Sequence, residues 1–175
     1  DWNMLRSDGW NIMFYGDEGL TSVPDSDIKM FLCPKTHKKL KGHCDVVVGV
    51  VIRHGDYREY RNGEYYYSLP IFQRVLKELT EHLSPVRPGF FIASDEDQEV
   101  SAFENFPYYF RQGHPVENIN ALGRCDYLIG SPSTFMTWPA FFGNIPCFQL
   151  FPEDLSEDRI PFSFETDSLP EANSS

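Results

Sequence analysis

Arg53, His54 and Asp56 stand together where a long apolar run stops. Residues 46–57 read Val-Val-Val-Gly-Val-Val-Ile-Arg-His-Gly-Asp-Tyr. A planar guanidinium fork binds two oxygens at once and suits a phosphate or carboxylate. The imidazole and carboxylate beside it add groups that exchange protons. A second set is Gly130-Ser131-Pro132-Ser133-Thr134, followed by Phe135. At a helix start, hydroxyls add donors to free amides and a partial positive charge. That is a phosphate seat without a Walker lysine. Ser94-Asp95-Glu96-Asp97 and Arg111-Gln112-His114 follow apolar runs in the same way. Adjacent acids also suit Mg²⁺. The dipole of a helix start favours such acids without a metal, so no metal is assigned.

These groups need strands to deliver them. Apolar runs predict strands over Val46–Arg53, Gly89–Ala93, Tyr108–Arg111, Tyr127–Gly130 and Pro146–Leu150. Ser68 caps a helix entered through Pro70, and Ile71, Phe72, Val75, Leu76, Leu79 and Leu83 share one face. Further helices are expected over Asp95–Phe103, Pro115–Arg124, with Ile119 and Leu122 inward, and Ser133–Phe142. Alternating strands and helices predict an α/β fold, a Rossmann-like parallel sheet with helices on both faces. Ligands bind at the carboxyl ends of such strands, where all four polar sets fall. Residues 1–45 read as an irregular lead-in, with a short helix over Asp27–Leu32 and a solvated lysine cluster at 35–41. Residues 46–152 form the Rossmann-like domain, and 153–175 an acidic polar tail frayed from 165.

Composition narrows the partners. The 175 residues suit one domain, and 41% hydrophobic with 23% charged residues is ordinary for a globule. Aromatics reach 15%, which implies an aromatic core more readily than an aromatic pocket. A net charge of −11 argues against nucleic acid but leaves a small phosphate-bearing ligand open to local cations. No apolar run approaches the ~20 residues of a membrane span, and no signal peptide opens the chain. The start at Asp1 without a methionine reads as processed or truncated. Cys33, Cys44, Cys125 and Cys147 lack CxxC spacing. Cys125 and Cys147 lie in core-like segments and read as buried free thiols, which favours a reducing, cytoplasmic compartment.

Gly49-Val50-Val51-Ile52-Arg53-His54-Gly55-Asp56-Tyr57 resembles the G-V-H-I-R-R-G-D-Y motif of alpha-1,2-fucosyltransferases. Gly63-Glu64-Tyr65-Tyr66-Tyr67-Ser68 resembles the family's G-x-Y-[FY]-Y-S. Cys125 through Phe135 resembles C-D-Y-x-I-G-P-P-S-T-[FY], continued by Trp138, Ala140, Phe141, Gly143, Asn144 and Pro146. The likeness spans about 46–150. It implies the C-terminal, donor-binding half of a two-domain GT-B-type transferase, using GDP-fucose to invert the sugar's anomeric centre on transfer to a glycan, with no metal or other cofactor.

By that resemblance Arg53 meets the donor diphosphate. Ser133 and Thr134 hold the β-phosphate, and Asp95 and Glu96 line the nucleotide side; Ser94, Arg111, Ser131 and Phe135 are further donor-binding candidates. Arg53, His54 and Asp56 are the candidate catalytic set. Val51 replaces the motif histidine, His54 the second arginine and Ser131 a proline. The family's Gly-rich N-terminal motif and acceptor domain are absent, so a missing N-terminal domain or partner subunit would supply the acceptor side. Two other readings stand beside this one. One is a non-catalytic nucleotide-sugar-binding module. The other is a histidine phosphatase, in which Arg53-His54-Gly55 supplies the nucleophile, with Arg58 and His114 as helpers.

Overall fold

The computed structural model describes residues 44–111 and 114–162. The expected lead-in up to residue 43, its helix and lysine cluster, Cys33 and the frayed tail beyond 162 lie outside the described residues. Within them, a parallel sheet has five strands. These are β1 (Val46–Ile52), β2 (Pro88–Ser94), β3 (Tyr108–Arg111), β4 (Tyr127–Gly130) and β5 (Cys147–Gln149). Their spatial order is β3-β2-β1-β4-β5, the doubly wound order with β1 at the centre.

Helices α1 (Leu69–Leu83), α2 (Pro115–Leu122), α3 (Thr134–Gly143) and the short α4 (Pro152–Ser156) follow in chain order. Strand alternation assigns them to faces. Val46, Val48, Val50 and Ile52 pack with Phe72, Val75, Leu76, Leu79 and Leu83 of α1. Val47 and Val51 pack with Ala121, Leu122, Met136 and Ala140 of α2 and α3. The expected sheet covered on both faces is therefore present. Each fully buried Leu or Phe of α1 adds about 1.5–3 kcal/mol to that adhesion.

The face toward α2 requires close approach at two glycines. A Cβ on Gly49 would meet Leu128 Cδ2 at 2.5 Å, Leu122 Cδ2 at 2.8 Å and Cys125 Sγ at 3.1 Å. A Cβ on Gly130 would lie 2.3 Å from the carbonyl oxygen of Val51. Beside them, Asp126 fastens β4 to β1. Its backbone amide donates to the Val47 carbonyl, and its Oδ2 accepts from the Val47 amide at 2.7 Å. The Cys-Asp-Tyr string thus pins a strand and fills the space beside Gly49.

Four expectations change. Asp95–Phe103 is not a helix; only Val100–Phe103 makes a 3₁₀ turn. Ser94 and Asp95 turn their oxygens on nearby amides instead, accepting from Glu96 and His54. Cys147 is exposed, because β5 is an edge strand and turns only Phe148 into the core. Ile119 is not turned into the core, where Asn118, Ala121 and Leu122 are buried. Ser68 stands at the N-cap of α1, yet its hydroxyl makes no capping bond, and Pro70 removes one amide it would serve.

The start of the expected tail docks on α1. The guanidinium of Arg74 donates to the carbonyls of Leu155 and Glu157, and Glu78 accepts from the Ile160 amide at 2.8 Å. Ile160 is buried. Burial pushes the Glu78 carboxyl up, but the Ile160 amide and Arg74 outweigh it and hold the group below its ordinary range.

Gly130→Ala should destabilise the fold by ~3 kcal/mol or more, since the obstacle is backbone. Gly49→Ala should cost about 1–2 kcal/mol, because side-chain ends can yield. Urea unfolding followed by circular dichroism measures both.

Candidate functional site at the carboxyl end of the sheet

Register sets the site. Val51 pairs with both Ala93 and Gly130, and Ile52 pairs with Ser94. Three neighbouring strands therefore end at one level. Above β1 and β4 lies an open cavity of about 620 Å³. One side is the segment after β1, through Arg53, Asp56, Tyr57, Tyr60, Arg61 and Tyr65; the other is the start of α3, through Ser133, Thr134 and Phe135. Ile119, Pro132, Thr137, Trp138 and Gln149 complete the lining.

Arg53 and the Ser133-Thr134 pair thus meet across one cavity, as their positions at neighbouring strand ends predict. The Arg53 fork carries five N–H donors. One is bonded to Asp56 Oδ1 at 2.7 Å. Its Nε is buried without a hydrogen bond, 3.4 Å from Asp95 Oδ2. The plane lies over the Tyr57 ring at 5.1 Å, which fixes its orientation. On the far side, Ser133 caps α3, its Oγ accepting from the Met136 amide at 3.3 Å. A hydroxyl that accepts from an amide still has its own proton to donate. Other amides in the first turn of α3 have no intrahelical partner by geometry.

His54 lies beneath this cavity. The ring is 5% exposed, tilted against Tyr66 at 4.6 Å. Its Nε2 is 2.7 Å from the Tyr67 carbonyl, which can only accept, so Nε2 carries a proton and donates. Its Nδ1 accepts from the Gln98 amide at 3.2 Å. The His54 backbone amide donates to Asp95 Oδ1 at 2.9 Å. Both ring nitrogens are engaged, so the nucleophile that a phosphatase requires has no open face. His114 caps α2 instead, accepting from the Val116 amide.

The remaining candidates divide. Thr134 and Phe135 line the cavity with Ser133, and Asp56 is its one carboxylate among the described residues. Ser131 is fully buried, its hydroxyl without a partner among the described residues. Ser94 is buried, accepting from Gln98 Nε2 at 2.9 Å. Asp95 supports the His54 turn. Glu96 is bound by both terminal nitrogens of Arg58 at 2.6 and 2.7 Å, which hold its carboxyl below the usual range. Arg111 ends the edge strand β3, with β2 between it and β1.

Tyrosines were the unread part of the site. Tyr57 donates to the Pro132 carbonyl at 2.6 Å, joining the two sides of the cavity beneath its rim. Burial raises its phenol above the ordinary value, so it stays a donor. Tyr67 donates to the Leu150 carbonyl at 2.8 Å, and burial raises it likewise. Tyr60 and Tyr65 line the cavity. The density of tyrosine over 57–67 was visible in sequence, but the split into struts and wall was not.

The backbone is similar to solved fucosyltransferase structures. Against POFUT1 in complex with GDP the TM-score is 0.51 at 15% identity, covering 73% of this chain and 46% of that one. Against the fucosyltransferase NodZ from Bradyrhizobium it is 0.47 at 18% identity, covering 73% and 45%. This chain spans less than half the length of these proteins. No family model matches the sequence, and no curated protein does. Among the described residues no helix is long and apolar enough to cross a membrane. At such identities the likeness is one of fold alone, a Rossmann-like α/β sheet.

His54→Ala should cost about 2–4 kcal/mol, since it removes buried hydrogen bonds and leaves the Tyr67 carbonyl unpaired. Incubation of the wild type with p-nitrophenyl phosphate should leave no phosphohistidine detectable by phosphorus NMR.

Proposed function

We propose that this chain binds a nucleotide-sugar donor, GDP-fucose, at the carboxyl end of its sheet, as the donor half of a GT-B-type fucosyltransferase. One observation carries the reading: Arg53 and the capped start of α3 face one cavity from neighbouring strands. Its volume suits a ligand of that size. The fold shared with a GDP complex supports the same reading. So do the three sequence motifs.

In this reading the donor phosphate takes the Arg53 fork. Asp56, whose side chain is 66% exposed, swings off that corner toward the acceptor side of the open cavity. The Ser133 hydroxyl and the first amides of α3 donate to the same phosphate, Thr134 standing beside them. Transfer then follows a balanced course. An acceptor hydroxyl oxygen bonds to the sugar's anomeric carbon, and the bond from that carbon to the phosphate oxygen breaks. The electron pair leaves with the diphosphate, where Arg53 and the helix start stabilise it. The hydroxyl proton passes to Asp56, the carboxylate of the cavity. His54 positions Arg53 through its backbone and does not touch the donor. No metal is needed where a guanidinium and a helix start meet the leaving charge. In this reading a further N-terminal domain or a partner subunit supplies the acceptor side, and binding is the part this domain performs alone.

Calorimetric titration with GDP, UDP and ADP tests the reading, with GDP expected to bind and the others to bind more weakly. Arg53→Ala should weaken GDP binding about ten- to a hundredfold, the worth of one or two charge-assisted bonds, with the fold intact. Unchanged affinity in the folded variant would overturn the site.

A further inference from the structure

We propose that Arg61 is the second phosphate-binding cation of this cavity, holding the phosphoryl group that Arg53 does not. The proposal rests on the donor-binding reading above and adds a residue to it. A diphosphate carries at least two negative charges, and this chain carries a net −11. One arginine already shared with Asp56 and Asp95 is a thin counterweight. His54, the next residue in the chain, adds no second charge to the cavity, because its ring is turned into the interior. Arg58 is occupied by Glu96 through two short bonds.

Arg61 differs from both. It lines the cavity, its side chain is 59% exposed, and its ion-pair partner among the described residues, Glu64, stands 3.9 Å away. That distance is beyond hydrogen-bond reach. The guanidinium lies over the rings of Tyr60 and Tyr65, at 5.7 and 5.8 Å, and bonds the Tyr65 hydroxyl at 3.2 Å. A cation held on aromatic faces keeps its charge and its planar orientation. Tyr57 and Tyr60 are in ring contact at 5.5 Å, so Arg53 and Arg61 ride on one continuous aromatic wall.

The backbone gives a second, independent reason. Arg61 has φ 48° and ψ 40°, and Asn62 and Gly63 follow at φ 59° and 79°. Asn and Gly tolerate this left-handed region, whereas arginine enters it at a cost. Such outliers persist where surrounding structure enforces them, and they gather at ligand sites. Glycine would be the relaxed choice at position 61. An arginine there exchanges stability for a charge aimed into the cavity.

That exchange makes the test sharp. Arg61→Gly should leave the melting temperature unchanged or higher, yet weaken GDP binding by about ten- to a hundredfold. Arg61→Lys should recover most of the affinity. The measurements are calorimetric GDP titration and thermal unfolding of the whole chain, with wild type and Arg53→Ala in parallel. If Arg53→Ala loses affinity while Arg61→Gly binds like wild type, the Arg61 assignment is wrong and the donor site stands. A drop in melting temperature with unchanged GDP affinity would make Arg61 structural and also overturn it. If the wild type binds no GDP, the donor reading fails and Arg61 falls with it.

Discussion

The parallel register around β1 is the constraint on which the site depends. Val51 is level with Ala93 on one side and Gly130 on the other. The polar residues that follow each strand therefore emerge at one height, although they are some 40 residues apart in the chain. Gly130 makes that height attainable, because any side chain there would strike the Val51 carbonyl. Asp126 sets the other end of the same pairing. A slip of one residue would send Val47 and Val51 to the opposite face of the sheet and Arg53 away from Ser133.

Above that register, the turn after β1 is held by hydrogen bonds to and from one histidine. His54 reaches Tyr67 with one ring nitrogen, Gln98 with the other, and Asp95 with its backbone amide. These partners come from the same loop, the segment after β2 and its first residue. The His54 ring is buried and both of its nitrogens are bonded, the condition under which a polar group rigidifies a structure instead of weakening it. Asp95 also stands beside the Arg53 fork, so the groups that shape the turn also orient the cation. Tyr57 and Tyr67 extend the bracing to the segments after β4 and β5. A loop rich in polar residues thereby behaves as a rigid wall.

Charge at the site is arranged locally against the charge of the whole. An acidic chain repels polyanions at distance, but a small anion meets only what lies within roughly 8 Å at physiological salt. Over that range the guanidinium groups and the start of α3 outweigh the mean field. The carboxylates near them are set in different ways. Glu96 is bound by Arg58, Asp95 is committed to the His54 amide, and the Asp56 carboxylate is exposed and, among the described residues, bonded only at one corner of Arg53. Only the last can leave Arg53 at little cost, because it is exposed.

Much of this was legible in the residues. Unbroken apolar runs mark buried parallel strands, so β1, β2 and β4 and the Rossmann-like class follow from hydrophobicity alone. Polar groups after such runs mark the functional end of the sheet, which singles out Arg53, Ser133 and Thr134. What the residues could not convey is the direction of each side chain. His54 and Ser131 are polar neighbours of cavity residues, yet both are turned inward, and Glu96 is taken by an arginine 38 positions earlier. Asp95–Phe103 has helical composition, but Asp95 is committed to the His54 amide and only Val100–Phe103 makes a 3₁₀ turn. The aromatic wall under Arg61 likewise depends on a left-handed turn at Asn62-Gly63 and on where Tyr57 finds a carbonyl. Local pattern determines which segments become strands and where they end. Only the packed molecule decides which polar atoms find partners in the interior, and so which remain to meet a ligand.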